Sequence, residues 1–359
     1  IVMITKRNQF VFLLFIFLCS CFNGNRNLNT EIEMIEPEIY AKYLSMVPGN
    51  EKPNLYYSDE AMLGLKLSRF AQKKWETTYL DQLDTQEHFN PVMGKHFLLY
   101  DKLFYLDYQS ESRIVLKQLI EKEEGGFLAD GTRVSCSDFC ILQDSPESEP
   151  LLFYNDGGEL KAAILEEHRY LEKLEFDTEK IKDVEEFQVF KTLDYYTMVY
   201  SGDGGLFLVR LALNAEEKKI EVESLLQIDS GIEMFHATLF DDDVTILYYS
   251  REYLLSYYCG GTNQKIGYYP EIHFLNVNYH DNQPVFTICA PDKESKNQPV
   301  YAVYFIHEDL YSQKKWREDL LVRSNTPFIA CSTLDTADNF YMLLSGNFLQ
   351  LLTIKNAGM

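Results

Sequence analysis

Seven times along the chain, a short apolar run meets a polar turn and is followed by a second apolar run. The first runs are NLYYS (54–58), KHFLLY (95–100), PLLFYN (150–155), YTMVYS (196–201), VTILYYS (244–250), QPVFTICA (283–290) and NFYMLL (339–344). Their partners are LGLKLS (63–68), KLFYLDY (102–108), ELKAAIL (159–165), LFLVRLAL (206–213), YLLSYY (253–258), PVYAVYFI (299–306) and FLQLLTIK (348–355). Runs this short, rich in aromatic and β-branched residues and bounded by Asp, Asn, Ser and Gly, are strand and turn chemistry. Turns such as Asn155-Asp156-Gly157-Gly158 and Ser201-Gly202-Asp203-Gly204-Gly205 suit hairpin loops, because Gly and Asn tolerate positive φ. The hairpins recur about every 48 residues. Helical repeats of similar period would need apolar residues at i, i+3, i+4 and i+7, and that pattern is missing.

The stretch Gln-Lys-Lys-Trp marks the same period, at 72–75 and at 313–316, and holds the only two tryptophans of the chain. A basic residue before a large apolar one recurs in similar settings at Arg113-Ile114, Lys173-Leu174, Lys219-Ile220 and Lys265-Ile266. The apolar members are separated by 39, 60, 46, 46 and 50 residues, and the long gap holds Glu121 to Asp138, which reads as an extended loop. A unit of this length with four short strands predicts an all-β protein, a β-propeller of seven blades with four antiparallel strands each. Each QKKW should lead into an outer strand, with the lysines at the turn and the tryptophan packed between blades. The last blade lacks an outermost strand, and EIYAKYLSMV (38–47) is expected to supply it and close the ring.

The N-terminus carries a different message. Lys6 and Arg7 precede nine apolar residues, Phe10 to Leu18. At about 1.5 Å per residue these reach about 14 Å, which fits a signal-peptide core and falls short of a bilayer of about 30 Å. Leu18-Cys19-Ser20-Cys21 then resembles the lipobox of bacterial lipoproteins. That resemblance implies cleavage before Cys21 and acylation there, with Cys19 the weaker position. Several acyl chains hold firmly where one binds reversibly. The expected organisation is a signal peptide over 1–20, a flexible tether over 21–36 and one propeller domain over 37–359. Without residues 1–20 the chain has 31 basic against 55 acidic residues, a net charge of −24. So acidic a surface makes nucleic acid a poor partner.

Cys136 and Cys140 are close enough in sequence to close a small disulfide in an oxidising compartment, while Cys259, Cys289 and Cys331 lie in apolar runs. Cys-x3-Cys without a second pair is weak for zinc, and the seven histidines are scattered. Asp241-Asp242-Asp243 lacks the spacing of a calcium loop and reads as a turn. No phosphate-cradling loop or dinucleotide fingerprint occurs, so neither cofactor nor metal is expected. Ser201-Gly-Asp203-Gly-Gly205-Leu-Phe-Leu208 matches the Asp box of sialidase-like propellers except at its final Trp. The resemblance implies that fold over about residues 50–355. The diagnostic Arg-Ile-Pro is replaced by Arg113-Ile114-Val115, so no catalytic residue is assigned. The lipobox joined to a propeller is also similar to bacterial scaffold lipoproteins, although their repeated Gly-x-x-x-Trp is not found. The expected role is therefore a lipid-anchored binding or scaffold module of the cell envelope. It would sit at the outer membrane or cell surface rather than the inner membrane, with a protein or glycan partner on one propeller face. The alternatives are a sialidase-like hydrolase of carbohydrates and a surface lipoprotein that engages a host or another cell.

Overall fold

The computed structural model describes residues 28–355 apart from 38–40, 48, 60–63, 83–92, 100–101, 111–112, 122–126, 146, 167–169, 281, 294, 296–299, 310–314 and 335–338, with the backbone alone between 81 and 135. Every regular element among the described residues is a β-strand. β1 (Thr30–Pro37) is followed by an antiparallel sheet of β2 (Ala41–Val47), β3 (Asn54–Asp59), β4 (Gly64–Ala71) and β5 (Lys74–Gln82). The order repeats in β6 (Met93–Leu99), β7 (Lys102–Ser110), β8 (Arg113–Glu121) and β9 (Phe127–Ser135). Next come β10 (Asp138–Leu142), β11 (Leu151–Asp156), β12 (Glu159–Glu166) and β13 (Tyr170–Phe176). They share an eight-stranded sheet with β14 (Val184–Lys191), β15 (Tyr196–Gly202), β16 (Gly205–Asn214) and β17 (Lys219–Ser230). Within each half the pairing is antiparallel, and only a short parallel contact of Glu175 and Phe176 with Lys219 and Ile220 joins the halves.

β18 (Ile232–Phe240), β19 (Asp243–Ser250), β20 (Leu254–Cys259) and β21 (Thr262–Tyr268) form another four-stranded sheet. So do β22 (Phe274–His280), β23 (Gln283–Pro291), β24 (Tyr301–Glu308) and β25 (Trp316–Ser324). The C-terminus adds only β26 (Ile329–Leu334), β27 (Phe340–Ser345) and β28 (Phe348–Ile354), and β1 completes this sheet. First strands lie side by side: β2 with β6, β6 with β10, β10 with β14, β14 with β18, β18 with β22, and β22 with β26. β26 then returns to β2, so the circuit is closed and the sheets radiate from it in a propeller-type arrangement.

The apolar core lies between neighbouring sheets. Phe286, Ile288 and Ile306 pack with Leu247, Tyr257 and Tyr269, while Val303 and Phe305 pack with Phe340, Met342 and Leu352. A strand covered on both faces reads as a continuous apolar run. All six residues of β27 are buried, which explains why the middle strands stood out in the sequence.

Six of the seven anticipated hairpins are the second and third strands of their sheets, and the landmarks shift with the exception. KHFLLY and KLFYLDY are β6 and β7, so that hairpin lies one strand inward, and Arg113-Ile114 begins a third strand. The outermost strand there is β9, which runs through the stretch read as the loop Glu121–Asp138. Its Gly and Asp content hid it, and a bulge lets Ser135 face Val115 while Gly131 faces Lys117. The described part of Glu121–Asp138 is thus largely sheet, and the expectation of an extended loop is corrected.

The closing strand is also corrected. Residues 41–47 are the first strand of the first sheet, and the strand that joins the C-terminus is β1, drawn from the stretch read as tether. It pairs with β28 from Thr30↔Ile354 to Pro37↔Phe348. Two of its acidic residues, Glu33 and Glu36, turn inward although acids ordinarily face water. Glu33 accepts from Lys52 Nζ and from Trp75 Nε1, the latter at 3.0 Å, and Glu36 accepts from Lys66 Nζ at 2.9 Å. These bonds tie the last sheet to the first.

Both tryptophans lie where the repeat placed them, near the start of outer strands β5 and β25. Gln72 and Lys73 have φ of 51° and 65°, the two positive values of a type I′ hairpin turn. Trp75 packs edge-on to Phe70, and Trp316 against Tyr257 and Phe286. The two differ in one bond, since Trp316 Nε1 is buried with no acceptor among the described residues. Trp75→Phe is therefore expected to destabilise by about 1–2 kcal/mol more than Trp316→Phe, because only the first breaks a bond to a carboxylate. Urea unfolding of the two variants checks this, and equal losses would refute it.

Candidate functional site

The first strand of each sheet faces the ring axis with an edge that no ladder satisfies, and such backbone groups need partners. Side chains from neighbouring sheets supply some of these partners and also bond to one another across the gaps. Gln188 Oε1 on β14 accepts the Ala237 N–H of β18 at 3.0 Å. His236 Nδ1 on β18 lies 3.3 Å from the Val277 N–H of β22, and its Nε2 lies 3.3 Å from Asn276 Nδ2. A neutral imidazole has a single acceptor nitrogen, so only one of these contacts is accepted by the ring at a time. Across the next gap, Asn278 Nδ2 donates to Ser332 Oγ of β26. Ser332 Oγ–H in turn donates to Asn276 Oδ1 at 2.9 Å. At the closure, the Ala41 N–H of β2 donates to Ser345 Oγ of β27 at 2.8 Å.

Surrounding protein pushes the His236 pKa down to about 4 from 6.5. The neutral ring is thus the folded form. Stability that is present above pH 6.5 should be lost as the pH falls towards about 4, because the unfolded chain takes up the proton first. His236→Gln should flatten the pH dependence of the melting temperature in that window. An unchanged slope would contradict this placement.

A second feature lies on the rim, between β25 and β28. A recess of about 280 Å³ is lined by Val300, Val322 and Phe328 on one side and by Phe348 and Gln350 on the other. Arg323 borders it and donates from Nε to Asp292 Oδ2 at 2.7 Å. The register places Ile32 opposite Leu352 and Met34 opposite Gln350, on the same face of the closing sheet. Ile32 and Met34 are 47% and 55% exposed, and Phe348 is 38% exposed.

Cys21 and the stretch 1–20 lie outside the described residues. Cys136 and Cys140 are buried, form no disulfide with each other, and point into different parts of the core. Cys136 joins Phe139 and Ile141, while Cys140 joins Phe153 and Phe187 on the opposite side of β10. The structure therefore does not pair them as the expected disulfide. Burial pushes the Cys136 thiol up to about 12. Asp203 and Gly204 are the turn between β15 and β16, and Asp241 and Asp242 the turn between β18 and β19, all four with positive φ. No arginine lies on any of the first strands.

Sequence reasoning missed Gln188, His236, Asn276, Asn278 and Ser332. They carry no local motif, but the partners are 49, 40 and 54 residues apart, the period of the repeat itself.

No family model matches the chain, and no curated protein matches it in sequence. Solved structures do match in fold. YCF48 from Cyanidioschyzon merolae aligns with a TM-score of 0.56 at 11% identity, over 91% of this chain and 99% of that one. BBS1N, solved in complex with ARL6DN, aligns at 0.55 and 14% identity over 91% and 96%. Streptogramin B lyase aligns at 0.50 and 8% identity over 90% and 97%. At these identities the likeness establishes a β-propeller-type fold and nothing finer.

Proposed function

We propose that the chain is a seven-bladed β-propeller that serves as a binding or scaffold module in the bacterial cell envelope, held there by lipid on Cys21. The blade count follows when the eight-stranded sheet is divided at its short parallel join, which leaves each unit with four strands. One observation supports the binding role: among the described residues, Gln188, His236, Asn276, Asn278 and Ser332 bond to neighbouring first strands rather than converging on an open site. The fold is compatible with the role, since BBS1N was solved in complex with ARL6DN. A crosslinking pulldown from intact cells tests the proposal, run beside a Cys21→Ala variant and globomycin treatment. Repeated recovery of one envelope protein, with loss of membrane partition in the variant, is the expected result. Glycan turnover by the purified chain with no reproducible partner would overturn it.

A further inference from the structure

We infer that the exposed rim margin of the closing sheet, formed by Ile32 and Met34 of β1 with Phe348 of β28, lies against the lipid surface to which the chain is anchored. This contact rests on the lipid at Cys21 proposed above and adds an orientation to it. Three observations carry it. The first is exposure: these apolar side chains share one sheet face and are 47%, 55% and 38% exposed. A soluble surface gains nothing from such a cluster, and contiguous exposed apolar residues mark contact surfaces.

The second is reach. Thr30 lies nine residues beyond Cys21. At no more than about 3.6 Å per residue, the start of β1 stays within about 30 Å of an acylated Cys21. β1 is an outermost strand fixed to the rim by β28, so this edge of the ring is the part held nearest the lipid.

The third is charge. The whole chain is strongly acidic, and an unpaired acidic surface would be repelled by anionic lipid and costly to bring against a bilayer. Among the described residues near this face, Asp292 pairs with Arg323. The acids of β1 lie on the other face of the strand, where Glu31 pairs with Lys355, Glu33 with Lys52 and Glu36 with Lys66. Among the described residues the face is thus apolar, and the charge beside it is paired. It suits insertion at the headgroup boundary of a zwitterionic bilayer and needs no basic patch.

The test uses the full lipidated chain in phosphatidylcholine vesicles that carry a diazirine on the acyl chain, with crosslinks mapped by peptide mass. Crosslinks are expected in the peptides that span 30–37 and 348–354. They should be lost in an Ile32→Asp/Met34→Asp variant that keeps its lipid and its melting temperature. Crosslinks confined to the residues beside Cys21, or unchanged in the double variant, would overturn the contact and leave the anchor standing. A wild-type chain that carries no lipid would overturn both. In intact cells, protein crosslinks at position 34 in place of lipid crosslinks would assign the face to a protein partner and refute the inference.

Discussion

Glu36→Ala is expected to destabilise the protein by about 3 kcal/mol or more, because it strips a buried cation of its carboxylate. The Lys66 side chain is 4% exposed and Glu36 18% exposed, with the Nζ–Oε2 distance at 2.9 Å. Lys66 Nζ also lies 5.0 Å from the Tyr79 ring. Water cannot replace the lost partner while β1 still covers the site. The Lys66→Met/Glu36→Leu double variant should behave differently, since replacing both members of such a pair by apolar groups is often close to neutral. Urea unfolding of Glu36→Ala, of Glu36→Leu and Lys66→Met singly, and of the double variant checks both expectations, the last three forming the cycle. A Glu36→Ala variant as stable as the parent would mean that β1 does not cover Lys66.

The second large effect is expected at Phe286. It is fully buried between two sheets, with its ring centroid 5.1 Å from Trp316 and 5.3 Å from Tyr257. Phe286→Ala should cost about 3–5 kcal/mol, the transfer term plus a cavity that two rigid neighbouring rings cannot fill. Against a total of about 5–15 kcal/mol this is a large share of the folding free energy. Phe348→Ala on the rim serves as the control and should cost far less, because that side chain is already partly in water. Comparable losses at the two positions would contradict a core that lies between the sheets.

The fold was legible in the sequence where burial on both faces turned a strand into an unbroken apolar run. Leu343 and Ile246 sit in such strands, and their hairpins were placed correctly. The type I′ turn at Gln72-Lys73 was legible through the duplicated tryptophan beside it. β9 was not, because Gly131 and Asp130 interrupt it and its bulge spoils the alternation. β1 was not, because the usual rule that acids face water is reversed there by Lys52, Lys66 and Trp75, which arrive from another sheet. The polar axis escaped for a related reason. His236 and Asn276 meet only when the ring is closed, and nothing within either strand announces the partner.

The account depends most on the two ends of the chain sharing one sheet. Met34 and Gln350 face each other in that pairing. A Met34→Cys/Gln350→Cys variant, oxidised mildly and mapped by peptide mass, should form the 34–350 disulfide within a single chain and raise the melting temperature. Thiols at 34 and 350 that stay reduced, or that join only between chains, would contradict the closed ring.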